Sequence, residues 1–293
     1  MAGKKICSLL ALTIWLAGCH GVKPAVTVGS KNFTEQNLLG EIIAQHLENR
    51  LHGGVARKLN ISGTMLAQSA LLNAEIDLYP EYTGTAFTNV LKHSGVSDPG
   101  VVFERVRAEY LEQMNLTWLS PLGFDNTFAM AVRGSDAKAR NLETLSDAAA
   151  DPKGFSLGAG YEFMERPDGF GTLNQTYNMH WIGGTKSMDL GLLYTALQQS
   201  QVSMIAGSAT DGPLSVLDIK VLQDDKHAFP PYQACIVIRT EKLNGNPQLR
   251  AALAELSGKF TTEKMRQLNY RVDGQHQPIV QVAKDFLQSV IEQ

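Results

Sequence analysis

Val26-Thr27-Val28-Gly29, followed by Leu38, Leu39, Ile42, Ile43, Ala44 and Leu47 within 34–51, is the stretch that decides the fold. The first four residues read as a strand, and the apolar positions after them recur at helical spacing. Asn32 and Thr34 are candidate N-caps, with Glu35 beside the positive end of the helix dipole. Val55, Arg57, Leu59 and Ile61 then alternate as a second strand. Gly63 opens another helix through Met65, Leu66, Ala70, Leu71 and Leu72. A short third strand at 76–79 runs into Pro80-Glu81-Tyr82-Thr83-Gly84. Strand, helix, strand, helix, strand is the grammar of a parallel sheet flanked by helices.

Working outward, the same grammar starts again near Asp125. A strand at 128–132, a short amphipathic helix at 142–149, a strand at 156–160 and another at 202–206 make a second set. Asp224-Asp225 and Pro230-Pro231 then interrupt the pattern. A strand around 235–238 and helices at 247–257, 261–270 and 278–291 form a tail. The expected fold class is α/β with two lobes, 26–124 with 226–293 as the first and 125–225 as the second. The chain crosses between them twice. Ligands of open α/β sheets sit at the carboxyl ends of strands and pockets favour domain interfaces, so the cleft between lobes is the expected site.

The amino terminus has its own reading. Lys4 and Lys5, an apolar run from Ile6 to Leu16, and Leu16-Ala17-Gly18-Cys19 match a secretory signal ending in a bacterial lipoprotein cleavage site. The run falls short of the ~20 apolar residues a spanning helix needs. Residues 1–18 are expected to be removed, Cys19 to carry the lipid that anchors the protein to a membrane, and 19–25 to be a tether. The implied location is the cell envelope or periplasm. Loss of Lys4 and Lys5 takes the formal net charge from −3 to −5. A mildly acidic globule gives no reason to expect nucleic acid or a polybasic membrane patch. Cys7 leaves with the signal, so Cys235 stands alone in the apolar run Ala234-Cys235-Ile236-Val237-Ile238, as a buried strand thiol.

Enzyme signatures are missing. No G-x-S-x-G elbow, P-loop, H-E-x-x-H or C-x-x-C occurs, and Gly158-Ala159-Gly160 lacks the third glycine of a dinucleotide loop. The seven histidines are scattered, with no pair at metal-ligand spacing on one helix. No metal, no cofactor and no catalytic residue is expected, and the chain reads as a monomer.

Five stretches resemble one family, the glycine betaine, carnitine and choline binding proteins of osmoprotectant ABC importers. They are Gly29-Ser-Lys-Asn-Phe-Thr-Glu-Gln36, Ile76-Asp-Leu-Tyr-Pro-Glu-Tyr-Thr-Gly-Thr85, Pro121-Leu-Gly-Phe-Asp-Asn-Thr-Phe128, Ser208-Ala-Thr-Asp-Gly212 and Leu222-Gln-Asp-Asp-Lys-His-Ala-Phe-Pro-Pro-Tyr232. They occur in the family's order and cover essentially the whole mature chain. The resemblance implies a two-lobed periplasmic-binding-protein (flytrap) fold, type II-like, with a betaine-type ligand in the cleft and an ABC permease as partner. A quaternary ammonium has no N–H to donate, so aromatic faces select it, each worth about 0.5–2 kcal/mol. A carboxylate instead wants the parallel donors of an arginine.

By this resemblance Tyr82 and Tyr232 match cage tyrosines and Thr85 a hydroxyl donor. Phe128 falls where relatives usually carry a tyrosine, and Ser208 where many carry another. Lys31 and Asn126 fall on polar contacts, and Arg166, in Glu165-Arg-Pro-Asp-Gly169, on the carboxylate-binding arginine of some members. The cage is thus reduced to two tyrosines and a phenylalanine, and wider near Ser208. That implies weak binding of glycine betaine, or a bulkier betaine such as carnitine or an aromatic one. Choline would leave Arg166 without an anion. Each residue also has a plainer reading: Tyr82 packing beside Pro80, Tyr232 a hinge, Phe128 core, Arg166 paired with Glu162 or Asp168. Lys31 would then be a loop charge, Asn126 a turn residue and Ser208 a cap. A lipid-anchored enzyme on a small amine or carboxylate is the alternative class, and it lacks a recognisable nucleophile or base.

Overall fold

Strand β1 (Val26–Lys31) pairs in parallel with β2 (Val55–Ile61) and, through Val28 and Leu78, with β3 (Leu78–Tyr82). The computed structural model describes residues 26–51 and 54–290, so the expected signal peptide, Cys19 and the expected tether lie outside the described residues. Two further strands, β4 (Leu116–Trp118) and β10 (Ala234–Arg239), complete a five-stranded sheet in the order β2-β1-β3-β10-β4, with β10 antiparallel to both neighbours. The second sheet is β7-β6-β8-β5-β9. It is built from β5 (Phe128–Arg133), β6 (Phe155–Ala159), β7 (Trp181–Ser187), β8 (Met204–Ser208) and β9 (Ile219–Val221). Two mixed α/β sheets, joined where the chain passes from β4 to β5 and from β9 back to β10, make the fold two-lobed.

The first helix, Thr34–Leu51, forms where the apolar spacing placed it, and it buries Leu38, Leu39, Ile42, Ile43 and Leu47 against the first sheet. Its expected caps are engaged elsewhere. Thr34 Oγ1 donates to Asp273 and Asn32 Oδ1 accepts from Gly63 N, because both face neighbouring elements rather than the helix's own first turn. The helix Pro99–Met114, absent from the sequence expectations, starts on Asp98, whose side chain accepts from Val101 N, and ends on left-handed Asn115. Interior strand β10 is apolar from Ala234 to Ile238 and buried on both faces, with the thiol of Cys235 fully enclosed. Burial pushes that thiol well up.

Strand β3 runs three residues past its expected end, through Pro80 to Tyr82. Thr83 N donates to the Gln233 carbonyl, so alternation turns the Pro80 nitrogen toward β1, beyond the single registered pair Val28–Leu78. The missing N–H therefore breaks no ladder bond. Strand β8 is likewise displaced by two residues from 202–206 to Met204–Ser208, which brings Ser208 opposite Phe128. The largest apolar cluster is continuous through both lobes, and Phe163, Phe229 and Tyr232 belong to it.

Candidate functional site

The carboxyl ends of β1, β3, β6 and β8 and the start of antiparallel β5 deliver Lys31, Tyr82, Ser208 and Phe128, with Arg166 following the short helix Tyr161–Glu165 after β6. This is the edge at which open α/β sheets present their side chains to ligands. After Tyr82 the chain enters a short helix, Thr83–Thr85, and then a π-helical stretch, Ala86–Val90. Such wide turns recur at functional sites. A Cβ on Gly84 would stand 2.6 Å from the Pro231 carbonyl oxygen and 2.7 Å from Tyr232 Cδ1. Glycine there lets the Tyr232 ring lie against the helix start.

Two groups of residues meet at this edge. In the first, the Tyr82 hydroxyl donates to Glu35 Oε1 at 2.6 Å, and Asn126 Nδ2 donates to the same oxygen at 3.0 Å. Asn269 Nδ2 reaches Oε2 at 3.1 Å, and the Thr210 side chain is a further donor. Burial pushes the Glu35 carboxyl up, and these donors only partly offset it. Lys31 Nζ lies 2.6 Å from Glu81 Oε1 and 4.8 Å from the centroid of the Tyr82 ring, with Phe33 stacked on that tyrosine at 6.5 Å. Lys31 is thus a buried, paired cation rather than an exposed loop charge.

In the second group, Arg166 holds Asp168 with two bonds, Nε to Oδ1 at 2.8 Å and Nη2 to Oδ2 at 2.7 Å. Asp168 Oδ2 also receives the Tyr232 hydroxyl at 2.6 Å and the Thr88 hydroxyl at 2.7 Å. Burial works against the Asp168 charge, but Arg166 and the hydroxyls outweigh it and hold the carboxyl below its usual range. Arg166 Nη2 lies 3.4 Å from Thr85 Oγ1, and its Cζ is 5.2 Å from the Phe128 centroid. Phe128 meets Phe163, Phe229 and Tyr232 edge to face at 4.8, 5.3 and 5.5 Å. Arg166 and Asp168 come from the second-sheet segment, Thr85 and Thr88 from the first, so this cluster spans the cleft.

All eight residues singled out in the sequence therefore lie in one region. Asn126 links the halves: its side chain is on Glu35 and its backbone N donates to the Tyr232 carbonyl. Asp125 pins the same crossing by accepting from Thr127 N and Tyr232 N. Half-buried Ser208 pairs across the ladder with Phe128, and its backbone N donates to Asp211. The residues that reading missed as site members are Glu35, Glu81, Thr88, Phe33, Phe163 and Phe229, with Asp168 seen only as a plain partner of Arg166. Their motif neighbours were the available signal, since Glu35 and Glu81 lie inside two of the five stretches. Chemically the arrangement offers aromatic faces and fixed charges. Among the described residues no cluster of side chains suited to a metal ion occurs.

A protein of Helicobacter pylori named ergothioneine transport permease/ergothioneine binding protein is 38% identical over 283 residues, 96% of this chain. The chain spans half the length of that relative. The carnitine transport binding protein OpuCC of Listeria monocytogenes is 31% identical and is matched over 96% of this chain and 93% of its own. A crystal structure described as a glycine betaine/carnitine/choline ABC transporter superimposes with a TM-score of 0.79 at 31% identity, over 90% of this chain and 98% of that one. The substrate-binding domain of the ABC-type glycine betaine transport system matches residues 24–289, and the chain belongs to that family.

Proposed function

We propose that this chain captures a betaine-type quaternary ammonium solute between its lobes and hands it to the permease of its importer. The supporting observation is the convergence of Tyr82, Phe128 and Tyr232 with Arg166 at one edge, drawn from both lobes. The same proposal includes lobe limits of 26–124 with 226–293 and 125–225, supported by the sheet membership of the strands. It also includes the eight ligand contacts Lys31, Tyr82, Thr85, Asn126, Phe128, Arg166, Ser208 and Tyr232. Attachment to a membrane through Cys19, residence in the cell envelope and a monomeric state complete it, the anchor supported by Leu16-Ala17-Gly18-Cys19.

A second reading within this class, a larger betaine, is favoured by the small Ser208 opposite Phe128 and by the relative named for ergothioneine, which is itself a betaine with a sulfur-bearing ring. The bidentate Asp168 gives Arg166 an anion, so the objection to choline loses its force. Calorimetric titration of the unfolded and refolded mature chain with glycine betaine, carnitine, choline and ergothioneine tests both readings. Saturable binding of at least one is expected, weakened about 5- to 30-fold in Tyr232→Ala by loss of a cage face. Absence of heat with all four sinks the proposal.

A further inference from the structure

Both tyrosines of the proposed cage give their hydroxyl hydrogen to a buried carboxylate, each at 2.6 Å. Their electrical settings differ. Asp168 is neutralised by Arg166 and Glu81 by Lys31, whereas no ion pair to Glu35 occurs among the described residues. The immediate site therefore holds four carboxyl groups, Glu35, Glu81, Asp125 and Asp168, against the two cations Lys31 and Arg166. Further out, Asp211 and Asp273 outnumber Arg266, so the imbalance keeps its sign. Glu35 is 3% exposed, and a carboxylate that deep ordinarily has a cation beside it. The Tyr82 hydroxyl ties Glu35 to a ring at the carboxyl end of β3, on which Lys31 Nζ already lies 4.8 Å from the centroid. A phenol hydrogen-bonded to a carboxylate has a richer π-cloud, so its ring face attracts a cation more strongly.

Resting on the functional reading above, we propose that Glu35, acting through the Tyr82 hydroxyl, is the charge partner of the ligand's quaternary ammonium and makes this site select for positive charge rather than for the shape of a trimethyl group. Glu35 is thus a positioning and charge-setting residue that need not touch the ligand. Its hydrogen-bond capacity is already met by Tyr82, Asn126, Asn269 and Thr210, so its effect reaches the cleft through the ring and through space. Phe128, with no hydroxyl to polarise, supplies a face without such an anchor.

The test uses two pairs of probes with matched shapes: glycine betaine with 3,3-dimethylbutanoate, and choline with 3,3-dimethylbutan-1-ol. Each pair exchanges a charged nitrogen for a neutral carbon. Affinities are measured calorimetrically for the unaltered mature chain, Glu35→Gln and Tyr82→Phe. The unaltered chain is expected to prefer the ammonium member of each pair it binds. Glu35→Gln is expected to cut that preference roughly 10- to 50-fold while leaving the uncharged 3,3-dimethylbutan-1-ol within about twofold. Tyr82→Phe keeps the ring but unties it from the carboxylate, and moves the preference the same way by a smaller factor. It carries the test if Glu35→Gln does not fold. Equal weakening of the ammonium members and their carbon isosteres in the variants makes Glu35 a packing element and overturns the inference. If the unaltered chain binds neither ammonium probe nor any other betaine, the functional reading falls and this inference falls with it.

Discussion

Asp211 is a carboxyl whose environment favours its proton. It accepts from Ser208 N and the Tyr194 hydroxyl, both at 2.8 Å, with Asp273 and Glu35 adding like charge and Arg266 opposing them. Burial is the largest cause of a shift from 3.8 to about 6. The sign follows from proton binding. Between about pH 4 and pH 6 the folded chain holds a proton that the unfolded chain has released, so this group's contribution to stability is present at low pH and lost as pH rises through about 6. The cost once both states are ionised is on the order of 3 kcal/mol. Asp211→Asn keeps an accepting oxygen and removes the titration. Its melting temperature relative to the unaltered chain is therefore expected to climb by about 5 °C between pH 4.5 and pH 7.5. A difference that does not change with pH would show that Asp211 has its ordinary acidity.

At the scale of elements, the turn after β3 carries the site, and Gly84 is its tightest point. An alanine there places a methyl within 2.8 Å of the Tyr232 ring and of the Pro231 carbonyl, so either the ring or the crossing strand must move. Gly84→Ala is expected to lower betaine affinity about tenfold or more by displacing one cage face, with a stability loss of about 1–3 kcal/mol from overpacking. Unchanged binding in a folded variant would place Tyr232 outside the ligand's reach. The sequence made this region visible because Tyr82 and Tyr232 sit in short motifs with prolines and glycines at fixed offsets. It also disclosed the helix Thr34–Leu51 and β2, whose periodicity runs over many residues. Strands β4 and β9 have three residues each, too few to show alternation, and β7 contains Gly183-Gly184 and is mostly exposed. The carboxylates behind the tyrosines escaped for a different reason. Glu35 and Tyr82 are 47 positions apart and Asp168 and Tyr232 are 64 apart, so only the folded chain brings each pair together.

For the whole molecule, besides the aromatic contacts of Phe128 with Phe229 and Tyr232, the two lobes touch through two unlike polar and packed contacts. One is a packed seam in which helix Thr262–Asp273 lies on residues 210–215. There Asn269 Nδ2 and Arg266 Nε donate to the Thr210 and Ala209 carbonyls, and a Cβ on Gly212 would stand 2.6 Å from Tyr270 N. The other is the polar clasp on Asp168, where Thr88 and Tyr232 reach across to a carboxylate held by Arg166. A seam of backbone contacts and close glycine packing resists separation, whereas a clasp centred on one side chain releases when that side chain goes. Removing one partner of a buried ion pair costs about 3–5 kcal/mol because the other charge is left unpaired, and parting of the lobes would give Arg166, which keeps only Glu162 at 4.0 Å, more solvent. Asp168→Ala is therefore expected to shift the balance toward an open form by roughly a hundredfold or more. Small-angle X-ray scattering would then give a larger radius of gyration for ligand-free Asp168→Ala than for the unaltered chain. Saturating betaine should narrow the gap, because a ligand that prefers the closed form supplies part of the lost closing energy. Equal radii, with betaine affinity also unchanged, would mean that the seam and the aromatic contacts of Phe128 hold the lobes together and that the clasp serves only to orient Arg166.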